Sequence, residues 1–279
     1  MQNIVIAGLT TTITYTAANC TTDIGTSATG AILEVLNGTL VFVDSPLSFS
    51  FNIGNSTTPY TDKITRISDG AVLQDNVIAL TFTGAADQAS VISCGTVTSQ
   101  STEYKKFTID MDGNMHLKGI DDAGVAFDET SVATAFKLVA NSNLNSACTA
   151  TGGTVAESGL LSYTDNLDSK GTESMDISAA NPLSLTWTSV TTGTTGDNYK
   201  IGGSVSMVTQ CFTGSLTLAT TTDIFYPTNA DCPTAGVVLV SGDVNGTVVY
   251  TSTGGVDIKD NTGAVVETYP SCNEAQACQ

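Results

Sequence analysis

"NCTTDIGTSATGAILEV" (residues 19–35) and "ACTATGGTVAESGLLSY" (residues 147–163) are two versions of one phrase: Cys-Thr, a Gly-Thr pair, then an apolar pair. Cys20 falls on Cys148, an offset of 128 (148 − 20); Gly25 then meets Gly153, Thr26 meets Thr154 and Ile32-Leu33 meet Leu160-Leu161. Further out, "SPLSFSFNIGNSTT" (45–58) answers "NPLSLTWTSVTTGTT" (181–195), with Phe51 on Trp187. "IALTFTG" (78–84) answers "GSLTLAT" (214–220), and Cys94 meets Cys232 at an offset of 138 (232 − 94). Finally "GNMHLKGIDDAGVAF" (113–127) matches "GGVDIKDNTGAVV" (254–266). Offsets that grow in order without crossing are what loop insertions between copies of one unit produce. The expected organisation is an internal duplication, with domains at 1–131 and 132–279.

Both copies read as strands. Thr, Ser, Val, Gly and Ala dominate, and β-branched side chains, stiff at χ1, suit a pleated surface. "NIVIAGLTTTITYT" (3–16) is expected to form one strand with Val5, Ala7, Leu9, Ile13 and Tyr15 on one side. "SVATAFKLVA" (131–140) alternates in the same way, although a short helix also fits it. Asn37-Gly38, Asp112-Gly113 and Asn245-Gly246 stand between such runs, where a two-residue hairpin needs positive φ. "GTSATGAILEVLNG" (25–38) can also be read as a helix ended by Asn37-Gly38, and "CNEAQACQ" (272–279) as one helical turn. Short strands with frequent turn signals argue for an all-β chain. The expected fold is two tandem disulfide-bonded β-sandwich domains, Ig-like or related.

The seven cysteines are dispersed and none forms C-x-x-C; with a single histidine there is no zinc ligand set. Disulfides in an oxidising compartment are the expectation. The duplication suggests Cys20–Cys94 and Cys148–Cys232, with Cys211 joined to Cys272 or Cys278. A competing scheme joins Cys148–Cys211 and Cys232–Cys272. Seven is odd, so one thiol is free or intermolecular, and Cys278 at the tail is the expected one.

Charge restricts the partners. Asp+Glu 27 against Lys+Arg 9 gives a formal charge of −18, which disfavours nucleic acid and anionic membranes. The opening "MQNIVIAGL" lacks the basic region of a signal peptide, and no apolar run is long enough to span a bilayer.

Chemistry is sparse. There is no G-x-S-x-G, and His116 is the only imidazole, on an expected exposed hairpin strand, so no catalytic residue and no enzyme is expected. Trp187 replaces Phe51 and is expected in the core. Oxygen donors concentrate at Asp110, Asp112, Asn114, Asp121 and Asp122, which makes a weak calcium site the one cofactor candidate. The glycine comes too early for an EF-hand, and an Asp-Gly hairpin explains the same residues. "DIKDNTG" carries Asp257, Asp260 and Asn261 in a similar place. Sequons at Asn19, Asn37, Asn55 and Asn245 match the number expected by chance in so Ser/Thr-rich a chain.

The stretch "SLTLATTTDIFYPTNADCPTAGVVLVSGDVNGTVVYTSTGGVDIKDNTGAVVETYPSC" (215–272) resembles uncharacterised β modules of secreted and envelope proteins of Gram-negative bacteria. In those, P-T-[SA]-G opens a strand and an NG hairpin follows. The resemblance implies a bacterial extracellular setting and no chemistry. The function expected is that of an extracellular structural protein, a subunit of a surface filament or pilus-like assembly. Its terminal strand would complete a neighbour's sheet, making a polymer by strand exchange. The alternative is a monomeric cell-surface adhesin module binding carbohydrate or calcium.

Overall fold

A computed structural model describes residues 2–15, 21–27, 30–45, 48–86, 91–96, 99–104, 106–121, 124–145, 147, 149–167 and 171–274; at 2, 3, 21–27, 30, 31, 91–96 and 99–104 it describes backbone only. The described residues form twenty strands and no helix. Eighteen belong to one sheet and two to a separate ribbon, and every established register is antiparallel. The chain divides into two compact units, each assembled from three segments: 1–85, 109–136 and 160–173 in the first, and 86–108, 137–159 and 174–279 in the second.

The first unit opens with a hairpin, β1 (Gln2–Ala7) and β2 (Thr10–Tyr15), closed by Gly8-Leu9 with Gly8 at φ 63°. β3 (Thr21–Ser27) continues in the direction of β2, so both pair along one edge of the long β4 (Gly30–Ser45). On the other edge of β4 the same device recurs. β5 (Ser48–Ile53) pairs with residues 40–45, and β6 (Tyr60–Arg66) pairs with residues 32–37. β7 (Val72–Ala86) then covers both short strands from outside. Residues 54–59 are looped out between β5 and β6, held by Asn55, whose Oδ1 accepts hydrogen bonds from the Thr57 and Thr58 N–H groups (2.9 and 2.8 Å). Gly38 lies opposite this break at φ 115°, and a Cβ there would stand 2.7 Å from Tyr60 Cα. Only glycine tolerates both the angle and the approach.

β8 (Val91–Thr96) and β9 (Ser99–Tyr104) form the separate ribbon. β10 (Lys106–Ile120), β11 (Ala126–Leu144) and β12 (Ala150–Asp165) are long strands, each divided between the two units.

In the second unit a broken strand appears again. β13 (Thr172–Ile177) and β14 (Leu183–Val190) run in one direction along β15 (Gly196–Val208). Residues 178–182 are looped out between them, and opposite stands Gly203 at φ 121°, where a Cβ would overlap Pro182 O. From β15 the chain is a plain meander: β16 (Thr213–Pro227), β17 (Ala235–Gly242), β18 (Gly246–Tyr250), β19 (Val256–Lys259) and β20 (Val265–Tyr269). Ile177, Val205, Ile224, Val238 and Val256 are buried in this unit, Ile177 to 1 % exposure. Cys232, after β16, is bonded to Cys272, after β20, across a sequence separation of 40.

Several expectations are corrected by these facts. Residues 25–27 and 30–38 are strand and not helix, because β4 lies between paired strands on both sides, and a ladder on each edge outweighs local helix propensity. Asn37-Gly38 and Asp112-Gly113 sit inside β4 and β10 and are not hairpin tips; Asn245 lies in the β17–β18 connection, but Gly246 is already in β18 opposite Val240 and neither residue takes positive φ, so this is no two-residue hairpin either. The 131/132 boundary is not where the units part, since β11 runs through it as one strand and both units are discontinuous. The best-matched segments of the repeat are also built differently: β5 runs on into β6 in the same direction, whereas β14 reverses into β15. Cys232–Cys272 replaces the expected Cys148–Cys232, and removes Cys272 as a partner for Cys211, which is disulfide-bonded elsewhere. Cys20, Cys148 and Cys278 lie outside the described residues, as does the Cys94 side chain.

Candidate functional site

Register decides what each face of the first unit carries, because directly opposed residues project to the same side. One row runs Ile6, Thr11, Phe42, Phe51, Phe82 across β1, β2, β4, β5 and β7. The next runs Ile4, Ile13, Leu40, Ile53, Leu80. Phe42 stacks on Phe51 at 4.4 Å between centroids, and Phe49 on Phe82 at 5.6 Å. The rows of the opposite face read Val5, Thr12, Val41, Asn52, Thr81 and Ala7, Thr10, Val43, Ser50, Thr83. These rows make one face mainly aromatic and aliphatic, with Asp44 opposite Phe49 in the row beyond, and the other a mixture of Thr, Ser and Asn with Val and Ala. None of the ten residues in the two apolar rows is buried; Ile4 is 51 % exposed, Ile6 72 % and Phe42 37 %.

The Gly8-Leu9 turn creates this segregation. It reverses the chain after Ala7, so Val5 and Ala7 fall on the opposite face from Ile13, contrary to the single-strand expectation. A glycine at the first central position between two alternating runs was the available signal.

The densest polar cluster of the first unit surrounds Asp128, the one buried polar or charged residue among the described residues. His116 Nε2 lies 2.7 Å from Asp128 Oδ1, Lys118 Nζ 3.0 Å from Oδ2, and Asn166 Nδ2 donates to Oδ1 at 2.7 Å. The hydrogen bonds from His116, Asn166 and Lys118, in that order of effect, hold the carboxyl well below the usual carboxylate range. A carboxylate so committed has no basicity left for proton abstraction. The arrangement joins β10, β11 and the end of β12 and acts as an electrostatic brace. His116 is half-exposed on its strand as expected; its partner was missed. Asp121 N–H donates to Val125 O, and counting outward from that pair sets Lys118 opposite Asp128 (121 + 125 = 118 + 128).

The calcium candidates separate. Asp110, Asp112 and Asn114 are exposed at alternate positions of β10, while Asp121 lies beyond the end of that strand. Nine extended residues separate Asp112 from Asp121 by about 30 Å, so one ion cannot reach both. Asp112 Oδ1 accepts from Ala135 N–H at 2.9 Å. With Asn114 and Asn55 it borders a polar hollow of about 430 Å³. Asp122 lies outside the described residues. Asp121 closes the turn to β11: its Oδ1 accepts from Val125 N–H at 2.8 Å, and Gly124 N–H donates to its carbonyl. Asp260 does the same with Ala264 and Gly263 between β19 and β20. The matched "DDAG" and "DNTG" are thus one turn used twice. Among the described residues no three His, Cys, Asp or Glu side chains converge on a metal position.

A second carboxylate is held unfavourably. Burial, then the nearby Glu34, push the Asp62 carboxyl up, against a hydrogen bond from Gln74 (2.9 Å). Asp62 pairs in register with Asn76, and the Oδ1 atoms of both are buried without a hydrogen-bond partner. In the second unit Trp187 is half-buried on a sheet face, covering Gly153 of β12, and is not an interior residue.

No family model, no curated protein and no solved structure matches this chain. Among the described residues no helix is long and apolar enough to cross a membrane.

Proposed function

We propose that this chain is a non-catalytic structural protein of the bacterial cell exterior that associates with copies of itself into a surface assembly. The reading rests on one observation. β1 shows Ile4, Val5 and Ile6 at 51, 50 and 72 % exposure, so apolar side chains on both faces of this strand meet solvent. A strand of that composition at a sheet edge is a template for another strand, unless charge or proline blunts it, and β1 carries neither. Residues 2–15 form a hairpin that pairs with β4 of the same chain, which favours addition at the edge or over the face above donation of this strand. The disulfide is compatible with an oxidising location.

Sedimentation velocity over a hundredfold concentration range, with negative-stain microscopy, tests the reading. Concentration-dependent oligomers or fibres are expected; a monomer throughout refutes it. A second reading, a surface module for a cation or carbohydrate, draws on the polar hollow beside Asp112 and Asn114. A rise in melting temperature on adding calcium, lost in Asp112→Asn, would favour it.

A further inference from the structure

Glycine directly follows Asn or Asp at four places: Asn37-Gly38, Asp69-Gly70, Asp112-Gly113 and Asn245-Gly246. Glycine has no Cβ, so its backbone nitrogen can approach the preceding side-chain carbonyl carbon more closely than that of any other residue. Such pairs can close a five-membered cyclic imide. Closure has a conformational demand, because the first residue must rotate ψ out of the extended region before the next nitrogen faces its own side chain.

The fold meets that demand unequally. Gly38 pairs with Tyr15 of β2 and Asn37 with Thr61 of β6, so the Asn37-Gly38 peptide lies between ladders on both edges of β4. Asp112 lies within β10, and its Oδ1 accepts from the Ala135 N–H at 2.9 Å. Asp69 stands in a turn but is paired through both oxygens with Arg66, at 2.9 Å each, and an ionised carboxylate is a poor electrophile. Asn245 differs from all three. It is exposed, and with Val244 it lies outside the ladders of β17 and β18.

The Asn245 amide is also oriented. The Gly242 N–H donates to its Oδ1 at 3.4 Å, and its Nδ2 donates to Gly242 O at 3.2 Å. Both bonds are long and exposed, so they direct the group without locking it. The donor lies on the oxygen that gathers negative charge under attack, and the acceptor on the nitrogen that must leave. We propose that Asn245 is a modification site, deamidating spontaneously in the folded protein while the fold protects Asn37. Water takes the Gly246 N–H proton, the nitrogen bonds to Asn245 Cγ, and the Cγ–Nδ2 bond breaks as ammonia leaves with a proton. A second water opens the imide at either carbonyl, leaving aspartate or isoaspartate at position 245 and one more negative charge. The inference is independent of self-association.

The two asparagines provide their own control. Leu36-Asn37-Gly38-Thr39 and Val244-Asn245-Gly246-Thr247 have nearly the same flanks, so their rates in an unfolded chain should be similar. The full-length protein is incubated at mildly alkaline pH, folded and in parallel unfolded in urea, and peptide mapping by mass spectrometry follows the gain when oxygen replaces the amide nitrogen. In the folded sample Asn245 should convert about tenfold faster than Asn37 or more, a gap equivalent to about 1.4 kcal/mol of added barrier. In urea the two rates should converge. Asn245→Gln, which would need a larger ring, should remove most of the gain from the folded sample, with circular dichroism unchanged. Equal rates in the folded protein, a faster Asn37, or a folded Asn245 that stays intact while the urea sample converts would each overturn the proposal.

Discussion

Removing the Cys232–Cys272 bridge gives the most quantitative test of the fold. The bond spans a sequence separation of 40, from the loop after β16 to the residue just beyond β20. It therefore closes a loop that contains the whole meander of β17, β18, β19 and β20. On the chain-entropy model, releasing a loop of that length costs about 4 kcal/mol. At about 2–4 °C per kcal/mol, Cys232→Ala/Cys272→Ala should melt roughly 8–16 °C below the parent. The double variant is preferable to a reductant, which would also open the Cys211 bond. Differential scanning calorimetry under non-reducing conditions reads the shift. If the variant melts within about 2 °C of the parent, the bridge does not restrain a 40-residue loop, and the account of the C-terminal meander is wrong.

Three further outcomes follow from single residues. Gly203→Ala, at φ 121° with Pro182 O in the space of its Cβ, should destabilise by about 1–3 kcal/mol or more in urea, whereas Gly193→Ala, a loop glycine with nothing within 4 Å, should cost less. Asp62→Asn should raise the melting temperature at pH 7. A carboxyl whose folded pKa is raised favours the fold below its unfolded pKa and loses that contribution as pH rises through the folded value, so the advantage of Asn should vanish by about pH 4. Asp128→Asn should lower the melting temperature at neutral pH. With the pKa depressed, its contribution is present above the unfolded pKa and lost as pH falls through the folded one, so parent and variant should converge in acid.

Much of the secondary structure was legible because period-two patterning and β-branched composition are local. The "PTAG" strand start lies where the residues say, at the beginning of β17. Partners were less legible. Nothing in "GNMHLKG" announces Asp128, because that contact depends on the alignment of β10 with β11 and the approach of Asn166 beyond β12. The five oxygen-donor candidates looked clustered because sequence counts residues, whereas a strand spreads them at about 3.3 Å each.

The sequence by itself determined that this is a strand-built chain with cysteines for cross-links. Only the tertiary structure decided whether a loop reverses the chain or lets it continue. "SFSFNIGNSTTPYTDKIT" (48–65) continues past its loop and "LSLTWTSVTTGTTGDNYKIG" (183–202) turns back, although their residues align. The reason is physical: local torsions set whether a segment is extended, but its direction and exposed face follow from the strand it pairs with, tens of residues away.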